Sequence, residues 1–576
     1  MLQILFHIII ISVVCIIWGL PVFLIANKKN QQKFISPAES FLFLFFSGLI
    51  LLSVVSSWLV LFLPLQFGYL LTLTIILLVS TCTTHTKKCR DFFLNLLKLR
   101  LRITATNLML LISGVMLFLA LGVAKSVHID TQMYHLQVIR WTNEYGTVPG
   151  LANIYPRLGL GSAWFNLISF FHFPFFKNQN FTYLNCTFVL WFFLWLLYKF
   201  VLAGRSEKKN VSLRLFYISL IIYFFFDWQL FRDTANSTSY DFIVTALIII
   251  CISFVLERIF NDSTSELYIP AFTILALTIL SFKLSGAFIL ILLFWKLYES
   301  KKTSSWVFAF LMGILILLPV LMRNYITTGY PLYPLEFSFG NPGWKLPTEL
   351  TLGIKDHIIF HNRYYDTTHL GKPGNDFFSL NWIPFWFKGI LIQHKIICIA
   401  SLLSIIFLFI KVDEPVKAKK IRILLIVLLS MSLGWFITVP DPRFGYGFLL
   451  CLAFLPASLL FGKYISSFTC NIIQWILIAC IGIYLFKKSV YIINDPGYLI
   501  QTAQTLQPPY SIVRNDSLSF NYPEKVNSNW NNRCFFTPLP CLCEKNPYVR
   551  FRGKSLKNGF FMLPVTDSMF IKKYNY

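Results

Sequence analysis

The stretch KSVHIDTQMYHLQVIRW, residues 125–141, follows directly on an apolar run and gathers a carboxylate, imidazoles, a phenol, an amide, a guanidinium and an indole. At helical spacing Asp130, Tyr134, Gln137 and Trp141 lie within about 40° of one direction, while His135 and Arg140 point elsewhere. A carboxylate, a phenol, an amide and an indole on one stripe make a wall suited to a sugar. The polar atoms meet hydroxyls and the aromatic plane meets the apolar ring face. The same residues admit a plainer arrangement, in which Asp130 caps a short interfacial helix, worth about 1 kcal/mol, and Tyr134 and Trp141 join an aromatic belt.

Cations suited to a phosphate follow along the chain. Arg157 sits in the Gly- and Pro-rich EYGTVPGLANIYPRLGLGSAWFNL, a composition that folds as a loop over a headgroup. Its fork can grip a phosphate bidentately, or pair with Glu144 or a lipid phosphate. Lys283 in SFKLSGA, Arg323, Arg363 and Arg443 in PDPRFGYG extend the set. A lysine between two short apolar arms, as at Lys283, is costly without a partner, and snorkelling to lipid phosphate is the alternative. His357, His361 and His369 offer an i, i+4 pair for a metal, or hydrogen bonds to a sugar. No His and Cys spacing forms a strong zinc motif, so no cofactor is required by the sequence, and a divalent cation is left as an option.

The elements that must position these groups are membrane helices. Of 576 residues, 56% are hydrophobic and 18% aromatic but only 13% charged, which excludes a soluble globular domain and predicts an all-α polytopic membrane protein. Apolar runs near 2–26, 38–63, 65–84, 106–124, 181–203, 211–226, 242–259, 305–322, 389–410, 421–439, 447–462 and 470–486 are candidate spans. Two shorter pieces, 267–281 and 286–298, form either a tight pair or a re-entrant hairpin, for about 14 crossings in all. The first run lacks a basic leader and reads as an anchor. The net charge of +25 sits mostly in short connections, where the positive-inside effect places it, so no nucleic-acid partner is expected. That rule puts Asp130 outside. Asp130, Glu144, Asp227, Asp233, Asp241, Glu336, Asp356, Asp366, Asp376 and Asp441 all fall in outer connections rather than in mid-span, unlike a proton-coupled carrier.

An Asp at the outer end of a helix, a long first outer loop, six further segments and a second long loop opening RNYITTGYPLYP resemble the module of the GT-C superfamily of membrane glycosyltransferases. The likeness covers about residues 103–385, with outer loops at 125–180 and 323–385. DTQMYHLQVIRW, GTVPGLANIYPRLGLGSAWF and PLPCLCEKNPYVRFRG are also similar to a group of functionally unassigned bacterial membrane proteins. The GT-C likeness implies transfer of a sugar from a polyprenyl-phosphate carrier to a surface glycan, lipid or lipopolysaccharide at the outer face of the bacterial inner membrane, with inversion. It implies Asp130 as the base. Tyr134, His135, Gln137, Trp141, Asp233, Asp241 and His361 are then candidates for the acceptor and sugar, and Arg157, Lys283, Arg323, Arg363 and Arg443 for the donor phosphate. A lipid-linked glycan flippase, and an O-antigen polymerase or ligase using Arg and His of the second loop, are the alternatives.

The remaining segments frame that module: 1–102 supplies three further helices and a basic loop, 386–487 the last helices, and 488–576 a small extracytoplasmic tail. Cys534, Cys541 and Cys543 lie in the tail, where one bridge from Cys534 to Cys541 or Cys543 is expected and the third thiol has no assigned role.

Overall fold

A backbone removed from water must satisfy its N–H and C=O groups within its own segment, so the apolar runs fold as helices. The computed structural model describes residues 1–28, 37–87, 89–90, 104–123, 128–174, 181–205, 211–227, 233–261, 268–365, 379–410, 415–462, 464–465, 467–494, 497, 507–515, 518–524, 533–543 and 546–565. Asp366, His369 and Asp376 lie outside them.

The first four helices are α1 (Leu2–Lys28), α2 (Pro37–Leu59), α3 (Phe67–Thr84) and α4 (Ala105–Gly122). A first long connection carries two short helices, α5 (Leu136–Glu144) and α6 (Ala163–Phe170). The bundle continues with α7 (Tyr183–Arg205), α8 (Val211–Phe226), α9 (Asp241–Asn261), α10 (Tyr268–Phe282), α11 (Ile289–Ser300) and α12 (Thr303–Thr328). A second long connection holds α13 (Thr348–Tyr364) and α14 (Ile383–Gly389). It leads to α15 (Ile392–Phe407), α16 (Pro415–Thr438), α17 (Pro442–Phe461) and α18 (Ser467–Asn494).

Ten of these helices are long and apolar enough to cross a membrane, and α8, α10 and α15 are shorter apolar helices. The chain is an all-α polytopic membrane protein. The two short pieces fold as α10 and α11, and the turn between them brings Lys283 to Asp241 at the head of α9. At the other end of the pair, Glu299 of α11 acts on Tyr268, the first residue of α10.

Burial sorts the bundle into centre and rim. The apolar stretch of α9 is 83% buried and that of α12 only 11%, so α9 is the axis and α12 offers its side chains to lipid. α1 and α2 meet backbone to backbone. A Cβ added at Gly19 would fall 2.0 Å from the Leu44 carbonyl oxygen, and one at Gly48 1.8 Å from that of Cys15, which is close packing through small residues.

The tail adds two antiparallel hairpins, β1 (Tyr510–Asn515) with β2 (Leu518–Pro523) and β3 (Val549–Phe551) with β4 (Phe560–Met562). It is not an appendage. Leu542, Val549 and Phe560 belong to the same apolar core as the helices, and the segment 533–537 grips the first long connection. The Phe535 N–H donates to the Gln132 carbonyl at 2.8 Å and Arg533 Nη1 to Gln132 Oε1 at 2.6 Å.

Candidate functional site

The residues after α4 do not continue a regular helix. Thr131–His135 is a π-turn, which holds more residues per turn than an α-helix, so the direction set by Asp130 and Tyr134 is not continued by Gln137 and Trp141. Gln137 Nε2 instead donates to the carbonyls of Phe535 and Thr537 at 3.1 and 3.0 Å, and Trp141 is buried edge-on to Phe560. These two residues dock the tail, and the four-residue wall expected from the sequence is reduced to its first half.

Asp130 is not a helix cap. Its backbone is itself helical and its side chain accepts no N–H of the turn; His128 Nδ1 accepts the Thr131 N–H instead, at 3.2 Å. Thr131 ties the turn inward: its hydroxyl accepts from the Thr238 hydroxyl at 3.1 Å, and that hydroxyl lies 3.1 Å from His135 Nδ1. The His128 and His135 rings stack at 5.7 Å. Tyr134 and Tyr240 share a hydrogen bond beside them.

Three carboxylates from remote parts of the chain meet three cations here. Asp241, at the head of α9, takes the Lys283 ammonium, which also lies 3.3 Å from the centre of the Phe444 ring. The costly lysine of the hairpin turn thus has both an anion and a π-face. Asp441 caps α17 by accepting the Arg443 N–H at 2.9 Å and holds the guanidinium through Nη2 at 2.7 Å and Nε at 3.1 Å. Among the described residues Asp130 is ion-paired with Arg157 alone, with Nη1 to Oδ1 at 3.9 Å, longer than a hydrogen bond.

Accessibility separates the three. The side chains of Asp241 and Asp441 are 14% and 4% exposed, those of Asp130 and Arg443 37% and 43%. Yet Asp130 and Arg443 are surrounded by enough protein for burial to weigh on their ionisation. Both charged groups are thus partly open to solvent where protein crowds round them. Among the described residues none donates a hydrogen bond to the Asp130 carboxylate. An anion left so is expensive unless something else comes to it.

Burial works to raise the Asp130 carboxyl, and His128, His135, Arg157 and Arg443 outweigh it and hold it down at about 2. Burial pushes His135 down to about 3 and lowers His128 as well, so both imidazoles are neutral at pH 7. Burial and the adjacent Asp130 carboxylate push the Tyr134 phenol up, which leaves it a hydrogen-bonding group rather than an acid.

The second long connection closes over this wall. His357 and His361 of α13 stack at 5.4 Å and feel the charges of Arg157 and Asp130. Burial lowers both, His357 to about 4. Asp233 acts on His128 through its charge. Arg323 and Arg363, expected at the phosphate, stand elsewhere. Arg323 is buried and donates to Thr142 Oγ1 at 3.3 Å. Arg363 is buried, donates to the Ile437 carbonyl at 2.6 Å and lies 5.2 Å from the Trp382 ring. An arginine's sequence position does not say which way its long side chain turns.

Asp441 and His128 are the site residues that sequence reasoning passed over. The signal for Asp441 was present in PDPRFGYG, where an Asp followed by Pro and Arg at a helix start makes an N-cap that also holds the arginine. Among the described residues no group of three or more His, Cys, Asp or Glu side chains is arranged to hold a metal ion.

Residues 1–450 match the model of a family described as a domain of unknown function, DUF8201. No curated protein and no solved structure matches the chain.

Proposed function

For a chain that belongs to the DUF8201 family, we propose from the site itself a membrane glycosyltransferase that moves a sugar from a polyprenyl-phosphate-linked donor to an acceptor hydroxyl at the face bearing Asp130. The observation that carries this reading is Asp130: an ionised, recessed and accessible carboxylate with no hydrogen-bond donor among the described residues and an arginine held just out of contact.

In this reading the acceptor hydroxyl donates to Asp130 while the donor phosphate lies against Arg157 and Arg443. The acceptor oxygen bonds to the sugar's anomeric carbon, the bond to the phosphate oxygen breaks with its electron pair on the phosphate, and the acceptor proton passes to Asp130. A carboxylate held near 2 is a weak base. A phosphate that neutralises Arg157 and Arg443 offsets two of the four groups that depress it, so donor binding strengthens the base. One available carboxylate, with Asp241 and Asp441 already closed onto cations, suits a single displacement and therefore inversion. The membrane is the bacterial inner membrane with the site on its outer face, and the acceptor a surface glycan, lipid or lipopolysaccharide.

The stacked His357 and His361 over the same charges favour, as a second reading, an O-antigen polymerase or ligase that uses the imidazoles of its outer loop. Membranes carrying Asp130→Asn at matched abundance test the first reading. The expected outcome is loss of the glycan modification with unused lipid-linked sugar building up. An unchanged glycan profile would remove Asp130 from the chemistry and bring a lipid-linked glycan flippase forward; loss with His361→Ala but not with Asp130→Asn would select the polymerase or ligase.

A further inference from the structure

The third cysteine of the tail lies beside the disulfide it does not join. Cys534 and Cys541 are bonded, and Cys543 Sγ lies 3.5 Å from Cys534 Sγ. All three side chains are buried and form an apolar cluster of their own. Two residues apart on one extended segment, Cys541 and Cys543 present two sulfurs to the same Cys534.

This cluster sits on the turn that carries Asp130. The Cys543 thiol donates to the Met133 carbonyl at 3.5 Å, inside the π-turn Thr131–His135. The residues flanking Cys534, Arg533 and Phe535, hold the side chain and the carbonyl of Gln132. Cys541, by contrast, is tied to the tail, through a bridge to Asn521 of β2. The Cys543 sulfur thus touches the turn that carries Asp130, while the backbone of Cys541 is paired with β2.

We propose that Cys534, Cys541 and Cys543 form a disulfide-exchange site in which Cys543 is the second partner of Cys534, and that the exchange changes the hold of the tail on the Asp130 turn. The Cys543 sulfur attacks Cys534 Sγ, the Cys534 to Cys543 bond forms, and the Cys534 to Cys541 bond breaks with its electron pair on Cys541. Cys541 ends with the proton that Cys543 lost, so the number of thiols and disulfides is unchanged and no oxidant or reductant is consumed. The consequence is local: the S–H that Met133 accepts is gone, and the new thiol lies on the β2 side. Apolar surroundings shield the cluster from outside thiols, so the exchange is internal.

The proposal does not depend on the reaction assigned to Asp130, and its test reads connectivity rather than activity. The full-length protein in detergent is equilibrated at mildly alkaline pH without added thiol, quenched with acid, alkylated and mapped by peptide mass spectrometry. Wild type is expected to yield the Cys534 to Cys543 peptide alongside the Cys534 to Cys541 peptide, and Cys541→Ser to shift wholly to Cys534 to Cys543. Wild type with Cys534 to Cys541 alone would overturn the exchange even if the variant fails to fold. So would a folded Cys541→Ser protein in which both remaining cysteines are alkylated. Hydrogen exchange supplies the second arm: Cys543→Ala, which keeps the Cys534 to Cys541 bond, should let the amides of 131–136 exchange severalfold faster. Unchanged exchange there would overturn the coupling to the Asp130 turn.

Discussion

The two ends of the bundle treat charge differently. At the end away from Asp130, Lys199 meets Glu257 and Lys296 meets Glu299, each at 2.6 Å. Both pairs join residues of neighbouring or identical helices and are closed at hydrogen-bond distance. At the Asp130 end, carboxylates from positions 130, 241 and 441 converge with cations from 157, 283 and 443. Two of these pairs are closed and one is open at 3.9 Å. Closed pairs are what helix ends near an interface need for their own stability. An open pair whose carboxylate is partly exposed leaves interaction energy unspent, and a ligand can use it.

The comparison breaks most directly at its open member. Asp130→Asn should lower the rate of glycosyl transfer by about 10²–10⁴-fold while lowering the melting temperature in detergent less than Asp241→Asn does, because among the described residues no hydrogen bond to this carboxylate is lost. A large drop in melting temperature would make Asp130 a structural residue like its neighbours. Asp241→Asn should do the reverse. It strands the Lys283 ammonium among Tyr240 and Phe444, and removing one partner of a buried pair costs about 3–5 kcal/mol, read as a fall in melting temperature or in folded yield.

Acid sharpens the same contrast. His135 titrates at 6.5 when unfolded and is pushed to about 3 by burial in the folded protein. Its contribution is therefore fully present above pH 6.5 and lost as pH falls toward 3, where the unfolded chain binds the proton and the folded one does not. The slope is about 1.4 kcal/mol per pH unit for one such group, and His135→Gln should flatten the fall of melting temperature between pH 6.5 and 4. Asp130, lowered from 3.8 to about 2, adds to the slope only at the acid end of that window, where the unfolded carboxyl begins to bind a proton and the folded one does not. The smallest effect belongs to the far end. Glu299 is half-exposed, so Glu299→Gln should change stability by about 0–1 kcal/mol and leave transfer unchanged.

Much of the bundle was legible because span length and apolar composition are local properties: a run such as 242–259 becomes α9 whatever surrounds it. That an ammonium between two apolar arms requires a partner was legible at Lys283, but the partner is Asp241 rather than the phosphate expected for it. The stripe through Gln137 and Trp141 was misread for two reasons that no local pattern carries. The π-turn at Thr131–His135 shifts the helical phase, and a tail some 400 residues later covers both side chains. Arg323 and Arg363 share this lesson, each spending its donors on a neighbouring hydroxyl or carbonyl instead of the site.

By itself the sequence determined a membrane bundle, with its polar chemistry kept out of mid-span and a carboxylate placed just past the end of α4, because burying charge in lipid is too costly for any other arrangement. Only the tertiary structure decided which carboxylates pair and which stays open. Asp130, Asp241 and Asp441 lie more than a hundred residues apart in sequence. The distances between them and their cations follow from how α9, α17 and the π-turn pack at one end of the bundle, a property of the packed helices together.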